Sequence, residues 1–238
     1  MLFRKKKEQP FVAAIIPAAG SSQRMGGENK LMMDLEGIPV LGRTLLALEA
    51  CPMIREIVVA AGEEHIVAYA DLGAALGITK LSKVVKGGTS RQESVYKASL
   101  EASPQAEFLA VHDGARPLVT EEVIKNACEA AFLYNAAAAG VKVHDTIKEI
   151  ADGERISRTV DRDALRAVQT PQVAEKALLL AALQSALDAK APVTDECSAL
   201  ERMGVRPVIT AGSFENIKIT TPVDLLFAKA VLEGRNQK

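Results

Sequence analysis

The chain has 238 residues, 48% of them hydrophobic and 25% charged, enough to bury one sizeable core without requiring a second domain. Its 29 basic and 30 acidic residues leave a formal net charge of -1, so no global field favours nucleic acid or an anionic membrane, and any anion binding must be local. The three cysteines, Cys51, Cys128 and Cys197, include no CxxC pair, which argues against a disulfide framework or a zinc site and fits a reducing cytoplasm.

At the start, FRKKK followed by FVAAIIPAAGSS superficially resembles a secretory leader. Glu8, Gln9 and Pro10 interrupt the junction of charge and apolar run, and Pro17 cuts that run short, so the basic tail is expected to be solvated. No run approaches the roughly 18 apolar residues of a membrane span. FVAAII reads as a first strand, and the loop PAAGSSQRMGGENK, from Pro17 to Lys30, follows it. Gly20, Gly26 and Gly27 permit tight turns that aim N–H groups at phosphate oxygens, while Arg24 and Lys30 add positive charge. The loop is neither GxGxxG nor GxxxxGK[ST], so it is a different kind of phosphate loop.

Next, VLGRTLLALEA carries a helical apolar face at Val40, Leu41, Leu45 and Leu48, and EIVVAAG and LSKVV read as strands. SRQESVYKASLEA opens with Ser90 and Glu93 at capping-box spacing. EFLAVHD reads as a strand, TEEVIKNACEAAFLY as a helix and AAAAGVKV as a strand. This alternation predicts an α/β fold, a doubly wound, mostly parallel Rossmann-like sheet with ligands outside the carboxyl ends of its strands.

After Val143 the pattern changes. Residues 144–163 form two short polar segments around Asp152-Gly153, a strong hairpin signal, and predict a protruding β-arm. A two-stranded ribbon has too little core to stand alone, so the arm is expected to pack on this chain's sheet or on a second copy. Helical patterns at AEKALLLAALQSALDAK, TDECSALERMG and TPVDLLFAKAVLEG flank a strand at VRPVITAG. The whole of 1–238 reads as one domain bearing that arm.

The loop PAAGSSQRMGGENK resembles the signature of sugar-phosphate nucleotidyltransferases. With GGTSRQESV, VHDGARPLV, HDT, DRDALRAVQTPQ, TDECSALE and ENIKIT following in order, the chain resembles the 2-C-methyl-D-erythritol 4-phosphate cytidylyltransferase family of the non-mevalonate isoprenoid pathway from about Val12 to about Leu232. That resemblance implies attack of the methylerythritol phosphate on the α-phosphate of CTP, with release of pyrophosphate. Two anions must meet in line, so positioning and cationic neutralisation should dominate catalysis and no side-chain nucleophile is required.

Arg24 and Lys30 are expected to stabilise the transition state, and by resemblance Lys218 joins them as a catalytic and acceptor-binding cation. Pro17, Ala18, Ala19, Gly20, Gly87, Gly88, Ser94 and Asp113 are the expected CTP contacts. Asp113, at a strand end, is the expected ligand of Mg²⁺, which needs only one or two protein carboxylates. Its neighbour His112 should face the other way and pack. By resemblance Arg116, Thr146, Arg162, Thr170, Thr194 and Lys218 hold the acceptor phosphate. The resemblance further implies a homodimer in which Arg116, Thr146 and Thr170 serve the partner's site.

Three positions depart from the family pattern: Asn29 stands where a proline often precedes the loop lysine, Thr89 where an acidic residue often follows the double glycine, and no aromatic precedes TPQ. The first is expected to loosen how Lys30 is aimed, and the second puts a ribose contact in question. Competing readings are a cytidylyltransferase for ribitol 5-phosphate, and a non-catalytic nucleotide-binding module. The joint presence of Arg24, Lys30 and Asp113 argues against the module, since binding alone does not require every transition-state charge.

Overall fold

The computed structural model describes residues 9–20 and 29–236. Its centre is a seven-stranded sheet of β1 (Val12–Ala18), β4 (Ile54–Ala61), β5 (Leu81–Lys86), β6 (Phe108–Val111), β7 (Ala136–Lys142), β10 (Arg166–Glu175) and β11 (Val208–Ala211), in the order β11-β7-β10-β6-β1-β4-β5. β1 runs parallel to β4 and β6, β4 to β5, and β7 to β11; β10 alone is antiparallel to both its neighbours.

Near-continuous apolarity in β1 means that both faces of the sheet are covered. Val12, Ala14 and Ile16 point into one core with α1 (Val40–Ala50), α2 (Ile66–Ala75), α4 (Glu121–Tyr134) and α7 (Pro222–Asn236). Ala13 and Ile15 point into the other with α3 (Arg91–Leu100), α5 (Lys176–Asp188) and α6 (Glu196–Arg202). Each fully buried valine or isoleucine among them contributes on the order of 1.5–3 kcal/mol. The order of the strands reverses at β1, with β4 on one side and β6 on the other, so the crevice beyond Ala18 and Val111 is the switch point where such sheets bind ligands.

The predicted strands and helices are present, and the larger additions are α2 and β10. Sequence reading does not mark α2, whose exposed positions include Val67 and Ala68, so polar and apolar positions do not separate cleanly. Nor does it mark β10, because Pro171 argues against a central strand. The sheet accommodates Pro171 where the pairing of β10 with β7 is interrupted, between Val168 and Gln172. At α3 the capping box is only half formed. Ser90 Oγ accepts the Glu93 N–H at 3.1 Å, but the Glu93 carboxylate binds the N–H and hydroxyl of Thr89, one residue upstream.

A small antiparallel pair, β2 (Asp34–Leu35) and β3 (Ile38–Pro39), leads into α1. The arm is β8 (Lys148–Ala151) paired with β9 (Arg155–Thr159), forming a sheet of its own. Asp152 and Gly153 turn at φ 51° and 80°, the left-handed region that an Asp-Gly pair tolerates. Ile150 and Ile156 face each other across the ribbon and remain 50% and 62% exposed.

Candidate active site

A cavity of about 670 Å³ opens at the β1–β6 switch point. Pro17, Ala18, Ala19 and Gly20 at the end of β1, Gly88 and Ser94 at the start of α3, and Asp113 beyond β6 line it, together with Lys30 and Lys218. Thus most of the predicted nucleotide contacts and two predicted catalytic cations meet in one place. Arg24, with Gly26 and Gly27, lies outside the described residues, as does the basic tail.

The wall around Ser94 is tight because its residues are small. A Cβ on Gly87 would lie 2.6 Å from Ala19 Cβ and 2.9 Å from Ser94 Oγ, so a larger residue there would force apart the loops after β1 and β5. Ser94 is committed within its own turn, accepting the Gly88 N–H at 2.9 Å and donating to the Ser90 carbonyl at 2.8 Å.

Asp113 is the electrostatic centre. Its carboxylate is buried, with Lys218 Nζ at 2.9 Å and Arg116 Nε at 3.4 Å from one oxygen, and Arg91 Nε and Nη2 each at 3.3 Å from the other. Burial opposes its charge, but Arg91, Lys218 and Arg116 outweigh that and hold its pKa well below the usual carboxylate range. Arg91 then forks onto Glu196, Nη1 to Oε1 at 2.7 Å and Nη2 to Oε2 at 3.1 Å. Burial would weaken the guanidinium, yet Glu196 and Asp113 raise its pKa above the ordinary arginine value; burial pushes Glu196 up, against the pull of Arg91.

Behind Asp113 runs a second chain of bonds. The Asp113 N–H donates to Thr170 Oγ1 at 3.1 Å, and Thr170 Oγ1 lies 3.0 Å from His112 Nδ1. His112 Nε2 lies 3.2 Å from the Arg116 carbonyl, an acceptor only, so the proton resides on Nε2 and Nδ1 accepts from the threonine. Burial lowers the pKa of His112 to about 4, which keeps the ring neutral. Asn216, in the loop carrying Lys218, donates to the Thr170 carbonyl at 2.8 Å and to Gln169 Oε1 at 3.2 Å, and its own carbonyl accepts from Arg116 at 2.7 Å. Lys30 reaches the same loop: its Nζ donates to the Ile219 carbonyl at 2.9 Å.

The predicted acceptor set is divided. Arg116 and Thr170, expected to serve a partner's site, are engaged with Asp113 of their own chain, because β10 lies beside β6 and brings Thr170 directly behind the carboxylate. Thr146 and Arg162 are exposed at the root of the arm, where Arg162 donates to the His144 carbonyl, and neither lines the cavity. Thr194 is exposed just before α6, which Gln172 fastens to β10 by accepting the Cys197 N–H and donating to Asp195, each at 2.9 Å.

Sequence reading missed Arg91 and Glu196. The first lies within GGTSRQESV and the second within TDECSALE, but only the fold shows that one side chain joins Glu196 to Asp113.

The pattern of the 2-C-methyl-D-erythritol 4-phosphate cytidylyltransferase family matches residues 12–234. A protein of that name from Halalkalibacterium halodurans is 40% identical over 227 residues, 95% of this chain and 99% of the relative. Another, from Caldanaerobacter subterraneus subsp. tengcongensis, is 43% identical over 223 residues, 93% and 98% of the two chains. The crystal structure of 4-diphosphocytidyl-2C-methyl-D-erythritol synthase from Anaerococcus prevotii superposes with a TM-score of 0.85 at 30% identity, covering 94% of this chain and 97% of that one. By its sequence and its fold alike, the chain belongs to the 2-C-methyl-D-erythritol 4-phosphate cytidylyltransferase family.

Proposed function

We infer that the cavity beside Asp113 is where the chain transfers a cytidylyl group from CTP to 2-C-methyl-D-erythritol 4-phosphate, in isoprenoid biosynthesis. An acceptor phosphate oxygen bonds to the α-phosphorus of CTP, the bond from that phosphorus to its bridging oxygen breaks, and the electron pair leaves with pyrophosphate. The observation that carries this reading is the convergence of Lys218, Arg91 and Arg116 on one buried carboxylate at the sheet's switch point, with Lys30 lining the same cavity. Such fixed cations act where charge accumulates and need no reorganisation as the reaction proceeds. Arg24 joins them by resemblance.

The small-residue wall at Pro17–Gly20 and Gly88 admits the nucleotide close to the backbone, Gly87 packs behind it against Ala19 and Ser94, and Ser94 fixes the Gly88 turn. Asp113, a deprotonated carboxylate on the cavity wall, would hold one Mg²⁺ in exchange for one of the three cations on its oxygens, and magnesium typically takes one or two such ligands and completes its shell with phosphates and water. When bound, the ion neutralises charge across the triphosphate. Among the described residues no cluster of three or more His, Cys, Asp or Glu side chains forms a ready-made metal cage, in keeping with a metal that arrives with its nucleotide.

On the acceptor side, Lys218 supplies the charge nearest Asp113, and Thr194, outside the cavity lining just before α6, is assigned to the acceptor by resemblance. Thr146 and Arg162, carried at the root of the arm, act in the cavity of a second copy, so the working unit is a homodimer. The exposed pair Ile150 and Ile156 supports that assignment. Three free, buried cysteines support a reducing, cytoplasmic setting, and no described helix is long and apolar enough to cross a membrane.

Pyrophosphate release from CTP and Mg²⁺, with methylerythritol phosphate and ribitol 5-phosphate as separate acceptors, tests the assignment. Strong selectivity for methylerythritol phosphate is expected; preference for ribitol phosphate would change the acceptor, and CTP binding without turnover would make the protein a nucleotide-binding module.

A further inference from the structure

Lys30 is held by a contact made outside the cavity. Asn29 Nδ2 donates to the Tyr69 hydroxyl at 2.9 Å, and that hydroxyl lies 3.3 Å from Asn29 Oδ1, to which it donates in return. The same Oδ1 accepts the Leu31 N–H at 3.1 Å, and the Asn29 carbonyl accepts the Met32 N–H at 2.9 Å. Lys30 therefore sits inside a turn pinned on both sides by one asparagine. The carbonyl of Leu31 in turn accepts the Leu41 N–H at 2.9 Å, tying the turn to the start of α1.

Tyr69 is independent of the turn it anchors. It lies on α2, is 1% exposed, and packs in the same core as Leu31, Leu41 and Leu45. The His65 ring stacks on it with centroids 5.6 Å apart. Its hydroxyl is thus positioned by helix and core. A lysine carries its charge on a long rotatable stem, so where the ammonium dwells depends on where the backbone sets the root of that stem. Displacing a reacting group by about 1 Å costs roughly 10²-fold in rate.

We propose that Tyr69 is a positioning residue for the transfer reaction, acting through Asn29 to fix the turn that aims the Lys30 ammonium. The inference rests on the assignment of Lys30 to the transition state given above. It gives Asn29 a role as well, since its side chain supplies the rigidity that the position before the lysine needs.

The test is a double-mutant cycle on pyrophosphate release with saturating Mg²⁺ and methylerythritol phosphate. Tyr69→Phe removes one oxygen and keeps the ring, and Asn29→Ala breaks the same contact from the other side. Each should lower kcat about tenfold while changing the KM for CTP less than about twofold. In a Lys30→Ala background neither should lower kcat further. Asn29→Asp, which keeps the acceptor for Leu31 and Tyr69, should retain more turnover than Asn29→Ala. Parental kcat in Tyr69→Phe, or an undiminished tenfold loss on top of Lys30→Ala, would overturn the proposal. Parental turnover in Lys30→Ala alone would remove Lys30 from the mechanism and this inference with it, whereas a large loss there with parental Tyr69→Phe would sink the positioning role alone.

Discussion

Lys218 Nζ lies 2.9 Å from Asp113 Oδ2, and the carboxylate it meets is 8% exposed at the side chain. The Lys218 side chain is 36% exposed and lines the cavity, so the pair has one partner in the fold and the other at the cavity. Lys218→Ala should therefore lower turnover by on the order of 10²-fold, with a smaller change in CTP affinity, because the charge acts mainly as the transition state forms. Steady-state kinetics with CTP varied would show the split; a loss confined to KM would make Lys218 a ground-state contact.

Asp113→Asn keeps the shape but removes the negative charge on which Arg91, Arg116 and Lys218 converge. The Mg²⁺ concentration giving half-maximal activity should rise by about tenfold or more. An unchanged titration midpoint would exclude Asp113 as a ligand.

Arg91→Ala leaves Glu196, itself 1% exposed, without its bidentate partner. Breaking a buried pair from one side costs roughly 3 kcal/mol or more. Denaturant unfolding should show an unfolding free energy lowered by that amount, and Arg91→Lys should recover only part of it, since an ammonium cannot fork onto both Glu196 and Asp113.

His112 makes stability depend on pH. Its folded pKa, about 4, lies below the ordinary histidine value of 6.5, so the unfolded chain binds more protons between those values. The stabilisation of the neutral ring is complete above about pH 6.5 and is lost as pH falls towards 4, an effect of about 3 kcal/mol. Unfolding free energies across that window should decline less steeply in His112→Gln than in the parent. Parallel slopes would show that the ring does not titrate there.

Ile150→Glu combined with Ile156→Glu places two carboxylates on the exposed centre of the arm. Sedimentation should then show a shift from dimer to monomer, accompanied by a loss of activity of at least about tenfold, the cost of separating Thr146 and Arg162 from the cavity they serve. A parent that sediments as a fully active monomer would refute the shared site.

Much of this architecture was legible in the residues. Period-two and near-continuous apolar runs located the parallel strands, and Asp152-Gly153 located the arm's turn, because both are local signals. β10 was not legible: Pro171 normally rules out an interior strand, and the interruption of its pairing with β7 that accommodates it exists only once three strands are assembled. The site shows the same division. Lys30, Asp113 and Lys218 stood out by residue type and motif, whereas the Arg91–Glu196 fork joins positions 105 apart, and the Tyr69–Asn29 clasp joins positions 40 apart. Such partnerships leave no mark on the sequence around either member.

The reversed direction of β10 sets where the arm leaves the sheet. β7 ends, and β10 begins, on the same edge of the sheet as the mouth of the cavity, so the intervening 23 residues, 143–165, leave the body and return to it without a crossover helix. Both roots of the arm are already at the ligand edge. Because the arm pairs only with itself, as β8 with β9, its length can change while every strand of the seven-stranded sheet keeps its register, which makes it structurally separable from the body.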